Sequence, residues 1–165
     1  MRLMGLVGAS GSGKTTLITA LLPLLRQSGL RVSTIKHAHH GFDLDRPGKD
    51  SYRHREAGAE EVMLVSGGRW ALMSEAPEED LDLAALTRRM APVGLLLVEG
   101  FKLERIPKLE IHRPALGKPA LYPHDPCITA IASDAALETC DRPVLPLSKP
   151  EAVAAFIRAN AKALA

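Results

Sequence analysis

Eight residues near the start of the chain, Gly8-Ala9-Ser10-Gly11-Ser12-Gly13-Lys14-Thr15, satisfy GxxxxGK[ST] at every fixed position. These residue types suit phosphate chemistry. The glycines let successive backbone N–H groups turn inward around an anion with no Cβ in the way. Lys14 is placed to reach β- and γ-phosphates, and the Thr15 hydroxyl to ligand Mg²⁺. Gly8, Ser10, Gly11, Ser12, Gly13, Lys14, Thr15 and Thr16 are therefore the candidate phosphate-binding set. A second signal lies far along the chain, where Leu95-Leu96-Leu97-Val98 ends in Glu99-Gly100. An apolar strand tipped by an acid can hold Mg²⁺ or its waters. Lys102 follows closely enough to reach a bound phosphate.

Between these stretches lies a polar loop, Lys36-His37-Ala38-His39-His40-Gly41-Phe42-Asp43-Leu44-Asp45-Arg46-Pro47-Gly48-Lys49-Asp50. Three readings of it stand side by side. His37, His39 and His40 with Asp43 and Asp45 could ligand a transition metal. Alternatively, Asp43 or Asp45 touches Mg²⁺ or orients water, while Lys36, His37 and Lys49 meet phosphate. The third reading is a solvated surface loop. As a nucleotide site, the candidate catalytic groups are Lys14, Glu99 and Asp45, and the metal-facing oxygens are those of Thr15, Glu99, Asp43 and Asp45.

The elements that must position these residues are legible from periodicity. An apolar strand precedes the glycine-rich turn, and Leu17, Ile18, Leu21, Leu22 and Leu25 mark a helix over residues 14–28, stopped by Gly29. Pro23 conflicts with that helix locally. Residues 30–35 read as the next strand, so the unit is a right-handed βαβ and the sheet is parallel. Ligands then sit beyond the carboxyl ends of the strands. Asp50-Ser51 is expected to cap a short helix ending at Gly58. Residues 61–66 and 69–74 flank Gly67-Gly68 and predict a hairpin with a primed turn on the sheet edge, open to pairing with another chain. Acidic Glu78-Glu79-Asp80 leads into a helix over 81–90. Further strands are expected at 93–98, 109–112, 127–132 and 144–147, and a last helix over 150–164. The reading is an α/β, three-layer, P-loop NTPase-like single domain over residues 1–165.

Composition narrows the class. With 165 residues, 46% hydrophobic and 24% charged, a globular domain with a sizeable core is expected. A net charge of +2 is too small to argue for nucleic acid or an anionic membrane. Cys127 and Cys140 form neither a disulfide framework nor a metal knuckle. No secretory leader or membrane-length apolar run is visible, so a cytoplasmic protein is expected.

Together, GASGSGKTT, KHAHHGFDLDRPGKDSYRHREAGA, LLLVEGFK and PKLEIHR resemble the molybdopterin-guanine dinucleotide biosynthesis adapter family. The resemblance spans essentially the whole chain, and the second and third stretches carry it. It implies a GTP-binding homodimer with weak intrinsic hydrolysis. Such a protein assists the guanylyltransferase that attaches GMP to molybdopterin, with other cofactor-maturation proteins as further partners. It implies phosphate and Mg²⁺ binding by Gly11, Gly13, Lys14 and Thr15, a second Mg²⁺ contact at Glu99, and a mobile loop carrying His37, Asp43, Asp45, Lys49 and Asp50. No NKxD element reads guanine here. Ser148-Lys149-Pro150-Glu151 is a distorted echo, and Asp134 could accept from a guanine amino group. GTP over ATP therefore rests on the resemblance. The alternatives are a small-molecule kinase using ATP, against which the chain lacks a long arginine-rich lid, and a metallochaperone GTPase using the histidines.

Overall fold

Residues 1–38, 44–75 and 81–163 are described by a computed structural model of the chain. Two compact units emerge: Met1–His37 with Met90–Ala165, and Ala38–Arg89.

The first unit is built on a parallel sheet. Its strands are β1 (Arg2–Val7), β2 (Val32–Lys36), β5 (Leu95–Glu99), β6 (Lys108–His112), β7 (Ile128–Ser133) and β8 (Val144–Pro146), in the order β2-β5-β1-β6-β7-β8. Every pairing along that order is parallel. β5 lies between β2 and β1, and Leu95, Leu96, Leu97 and Val98 are all fully buried. A strand covered on both faces has no need of polar alternation, which is why its sequence is one apolar run.

Two helices cover one face of this sheet. α1 (Lys14–Gln27) buries Leu17, Ile18, Leu21 and Leu25, and α4 (Pro150–Asn160) buries Val153, Ala154 and Ile157. Both share a single core with Met4 and Leu6 of β1, Leu95 and Leu97 of β5, and Leu109 and Ile111 of β6. Those strand positions alternate, as residues on one sheet face must. α1 continues through Pro23.

The opposite side of β6 is polar yet buried. Lys108 and Glu110 are 2% and 1% exposed. The Lys108 ammonium donates to the Lys102 carbonyl and to Asp125 Oδ2, the latter at 2.8 Å. The Glu110 carboxylate accepts from the backbone N–H groups of Leu121 and Tyr122, both at 2.8 Å. It thereby pins the proline-rich loop that follows β6. Lys108 is an internal anchor for the chain on either side of it. Gly5 of β1 makes room for it, since a Cβ there would lie 2.9 Å from Lys108 Cγ.

The second unit contains α2 (Asp50–Glu56), β3 (Glu61–Ser66), β4 (Arg69–Ser74) and α3 (Leu83–Arg88). β3 and β4 pair antiparallel from Glu61↔Ser74 to Ser66↔Arg69. The hairpin falls where the sequence places it, but it forms a separate two-stranded sheet and does not extend the parallel sheet. Neither Gly67 nor Gly68 has the positive φ that a primed turn needs. Glycine permits both hands of turn, so the dipeptide marks the turn's position and not its type. α2 is capped by Lys49, with Asp50 in its first turn and no side-chain cap bond. α3 is capped by Asp82, whose carboxylate accepts from Ala85 N. The expected acidic approach at Glu78-Glu79-Asp80 lies outside the described residues.

The C-terminal end departs from expectation as well. α4 stops at Asn160, and Lys162–Ala163 forms β9, antiparallel to β1 at Arg2↔Ala163 and Leu3↔Lys162. Apolar helical spacing alone could not reveal that the chain turns extended at Ala161 to pair with the first strand. No helix among the described residues is long and apolar enough to cross a membrane.

The buried pairing of Lys108 carries a prediction. Asp125→Ala removes its carboxylate partner and leaves a buried charge unpaired by any acid among the described residues, so urea unfolding should show a loss of about 3 kcal/mol. An unchanged urea midpoint would reject the anchor.

Candidate phosphate site

The site is assembled by strand register. Leu6 pairs with Glu99 and Lys36 pairs with Glu99, so the acid sits between the strand that enters the glycine-rich loop and the strand that ends in Lys36. Backbone bonds fix the position: Gly100 N donates to Leu6 O at 3.1 Å, and His37 N donates to Glu99 O at 2.9 Å. The Glu99 carboxylate is nearly buried. It accepts from Thr15 Oγ1 at 3.3 Å and lies 3.8 Å from Lys36 Nζ. Lys36 is largely exposed, so this ion pair orients more than it stabilises.

The loop takes its shape from glycine. Gly8, Gly11 and Gly13 have φ of +147°, +77° and +94°. Gly8 is additionally crowded: a Cβ would lie 2.3 Å from the Ile111 carbonyl oxygen on β6. Gly11 faces open space, so only its backbone conformation demands glycine. α1 begins at Lys14 behind Gly13, with no side-chain cap and no acid in its first turn. Its first N–H groups and its dipole are left to an anion.

Lys14 Nζ donates to Gly8 O at 3.1 Å and Ala9 O at 2.8 Å, folding the side chain over the loop. Burial lowers its pKa below that of an ordinary lysine. Glu99 opposes the shift, and Lys102 and Lys36 add to it. Three ammonium groups thus act on one another around a single carboxylate, a field that favours a polyanion.

The chain leaves the acid through a tight bend. Gly100 has φ +89° and Phe101 has φ +48°, the one non-glycine residue with positive φ among the described residues. A Cβ on Gly100 would meet His37 Cβ at 3.0 Å. The Phe101 ring meets the His37 ring edge-on, with centroids 5.1 Å apart.

The sequence-derived candidates thus divide. Lys14, Thr15, Lys36, Glu99, Gly100 and Lys102 converge with the loop. Ser10 and Thr16 are exposed on it. Ser12 is 1% exposed, its N–H donates to Ala9 O, and its Oγ is buried beside Gly8. Ser12 therefore builds the loop from within. Asp45 and Lys49 lie in the second unit, where Asp45 Oδ1 accepts from Ser51 Oγ at 2.8 Å and Lys49 caps α2. His39, His40 and Asp43 lie outside the described residues. Among the described residues no group of three or more His, Cys, Asp or Glu could hold a metal. Lys149, in the NKxD echo, caps α4.

One residue bonded to the loop escapes sequence reasoning. Arg113, just past β6, donates through Nε to Ser12 O at 3.0 Å and through Nη1 to Asp134 Oδ2 at 2.9 Å. Its guanidinium runs beside Gly13, where a Cβ would lie 3.5 Å from Nη2. Only its place at the end of a strand beside β1 hints at this, and strand order is not written locally in the sequence.

The family described as MobB, molybdopterin guanine dinucleotide synthesis protein B, matches residues 3–134. The chain belongs to the MobB family. The matched span holds the phosphate loop, Glu99, Arg113 and Asp134. Two relatives, from Haemophilus influenzae and Escherichia coli, are described as molybdopterin-guanine dinucleotide biosynthesis adapter proteins, and each is 44% identical to this chain. The alignments cover 94% of this chain in both cases, with 86% of the first relative and 90% of the second. A crystal structure of molybdopterin-guanine biosynthesis protein B matches with a TM-score of 0.76 at 27% identity, covering 95% of this chain and 98% of that one. A Bacillus subtilis MobB structure matches with a TM-score of 0.76 at 25% identity, covering 99% and 100%. This chain therefore shares the mainly parallel α/β, P-loop NTPase-like fold of the MobB structures.

The two kinds of glycine in the loop should respond differently. Gly8→Ala is expected to cost about 2–4 kcal/mol, since backbone must move as well as adopt a strained φ. Gly11→Ala should cost only the conformational penalty of about 1–2 kcal/mol. Thermal unfolding of both variants checks the order, and equal losses would contradict the crowding at Ile111.

Proposed function

We propose that this MobB-family protein binds GTP with Mg²⁺ and serves as an accessory protein in molybdopterin guanine dinucleotide biosynthesis, assisting the guanylyltransferase. The observation that carries the nucleotide part is the meeting of Thr15 Oγ1 and Glu99 Oε1, 3.3 Å apart, beside the Lys14-bearing loop. Two hard oxygens at that spacing, next to an uncapped helix N-terminus, fit a Mg²⁺ that draws its other ligands from phosphate and water. When bound there, the metal would offset charge on the terminal phosphates. The loop N–H groups hold those phosphates in place, and Lys14 exchanges its carbonyl partners for phosphate oxygens. Lys36 and Lys102 add positive charge on the flank.

Hydrolysis is proposed to be slow. Fast phosphoryl transfer needs an arginine finger and a positioned water. Arg113, the arginine that bonds to the phosphate loop, is engaged by the Ser12 carbonyl and by Asp134. The adapter role and the guanine preference are supported by family membership and by the names of the 44%-identical relatives.

We also propose a homodimer formed through the hairpin. An isolated two-stranded hairpin is marginal in water. This one leaves Met63, Leu64, Val65, Trp70 and Leu72 exposed, with Val65 at 74% and Trp70 at 65%. A second copy pairing along that hairpin would cover them.

Calorimetric titration with GTP, ATP and GDP, each with Mg²⁺, tests the nucleotide reading. GTP is expected to bind best, and Lys14→Ala should weaken it about tenfold to a hundredfold, or about 1.4–2.8 kcal/mol, with the circular dichroism spectrum unchanged. ATP preference with phosphate transfer to an acceptor would establish a kinase instead. Many unaided turnovers per second would end the adapter reading. For the dimer, Trp70→Glu should shift the mass measured by light scattering to that of a monomer; a variant that stays dimeric rejects the hairpin interface.

A further inference from the structure

The phosphate site has two sides, and the sheet order tells them apart. Thr15, Glu99 and Lys36 gather on the side of β1 that faces β5 and β2. These are the metal and terminal-phosphate groups. A nucleotide held with that end over β5 must lead its nucleoside the other way, across the carboxyl ends of β6, β7 and β8. Just past the ends of the first two of those strands, His112 and Ser133, stand two charged side chains, Arg113 after β6 and Asp134 after β7.

They are joined, and they are joined to the loop. The Arg113 guanidinium spans from Ser12 O at 3.0 Å to Asp134 Oδ2 at 2.9 Å. β7 is further tied to the next strand end by Leu147 N donating to Ser133 O at 2.9 Å. A rigid planar fork with fixed donors suits such a bridge, because it sets both distance and orientation.

We propose that Asp134 reads the base of a purine nucleoside triphosphate as guanine, and that Arg113 is the positioning residue that sets Asp134 at a fixed distance from the phosphate loop. The proposal rests on the nucleotide reading above. Guanine presents two N–H donors, at N1 and at the 2-amino group, to a carboxylate acceptor. Adenine presents an acceptor at N1 and is disfavoured. A carboxylate has about four lone-pair positions, so the Arg113 bond and two base bonds fit on one aspartate. This supplies a guanine contact in a chain that has no NKxD element. Arg113 acts through its neighbours: loss of its fork loosens the loop and frees the carboxylate to turn.

Binding of GTP, inosine triphosphate, xanthosine triphosphate and ATP, each with Mg²⁺, is to be measured by calorimetry on the full chain and on Asp134→Asn, Arg113→Ala and Arg113→Lys. Asp134→Asn is expected to lose about tenfold or more in GTP affinity and to gain affinity for xanthosine triphosphate, whose 2-carbonyl accepts from the new amide. Its ATP affinity should stay within about twofold, which also shows that the variant is folded. Arg113→Ala should weaken all four nucleotides and, beyond that, narrow the gap between GTP and inosine triphosphate. Arg113→Lys keeps the charge but not the fork, so it should recover overall affinity while the gap stays narrow. An Asp134→Asn protein with the wild-type ratio of GTP to xanthosine triphosphate overturns the base assignment. An Arg113→Ala protein weakened by one common factor for all four overturns the positioning role. Wild-type protein that binds none of the four removes the nucleotide reading itself, and this inference with it.

Discussion

The register of β5 against β1 is the constraint on which the site depends. Side chains alternate along a strand, so sliding β5 by one residue would turn Glu99 to the opposite face and present Val98 to Thr15. The apolar run of Leu95–Val98 gives no help in choosing between registers, because both of its faces are buried. What fixes the alignment is the pair of strand-end bonds, Gly100 N to Leu6 O on one side and His37 N to Glu99 O on the other. The acid is thus held by backbone from both neighbours, and its carboxylate remains available for chemistry.

A second layer of support comes from charged groups bonded to neighbouring backbone. Lys108 holds the Lys102 carbonyl, Glu110 holds the backbone of Leu121 and Tyr122, and Arg113 holds the Ser12 carbonyl. Each is charged, and each comes from β6 or the residue after it. A strand that neighbours the phosphate-loop strand is the natural place for such supports, since it lies within one side-chain length of the loop and of the segments that follow. This explains why β6 departs from the apolar character of β5 although it is as deeply buried.

The sequence revealed whatever is encoded locally. The glycine-rich turn, the helix behind it, the acid at a strand tip and both strands of the hairpin follow from residue type and spacing within about ten positions. Contacts between distant segments stayed hidden. Nothing near Lys108 in sequence announces Asp125 as its partner. Arg113 draws no notice in the sequence because its partners, Ser12 and Asp134, are brought in by strand order. β9 was missed for a related reason: a two-residue strand has no periodicity, and it forms only because Arg2 and Leu3 of β1 precede that strand's pairing with β6. The hairpin's residues were clear, but its separation from the parallel sheet is a matter of what it pairs with, which composition does not encode.

The close approach of Gly5 to Lys108 has a consequence for how this chain can change. With 2.9 Å between a Cβ at position 5 and Lys108 Cγ, the two positions compete for one volume. A larger residue at 5 becomes tolerable only after 108 has become smaller, and a smaller residue at 108 leaves Asp125 without its ammonium. Substitutions here must therefore arrive in a particular order, and positions 5, 108 and 125 are expected to vary as a linked set across related sequences.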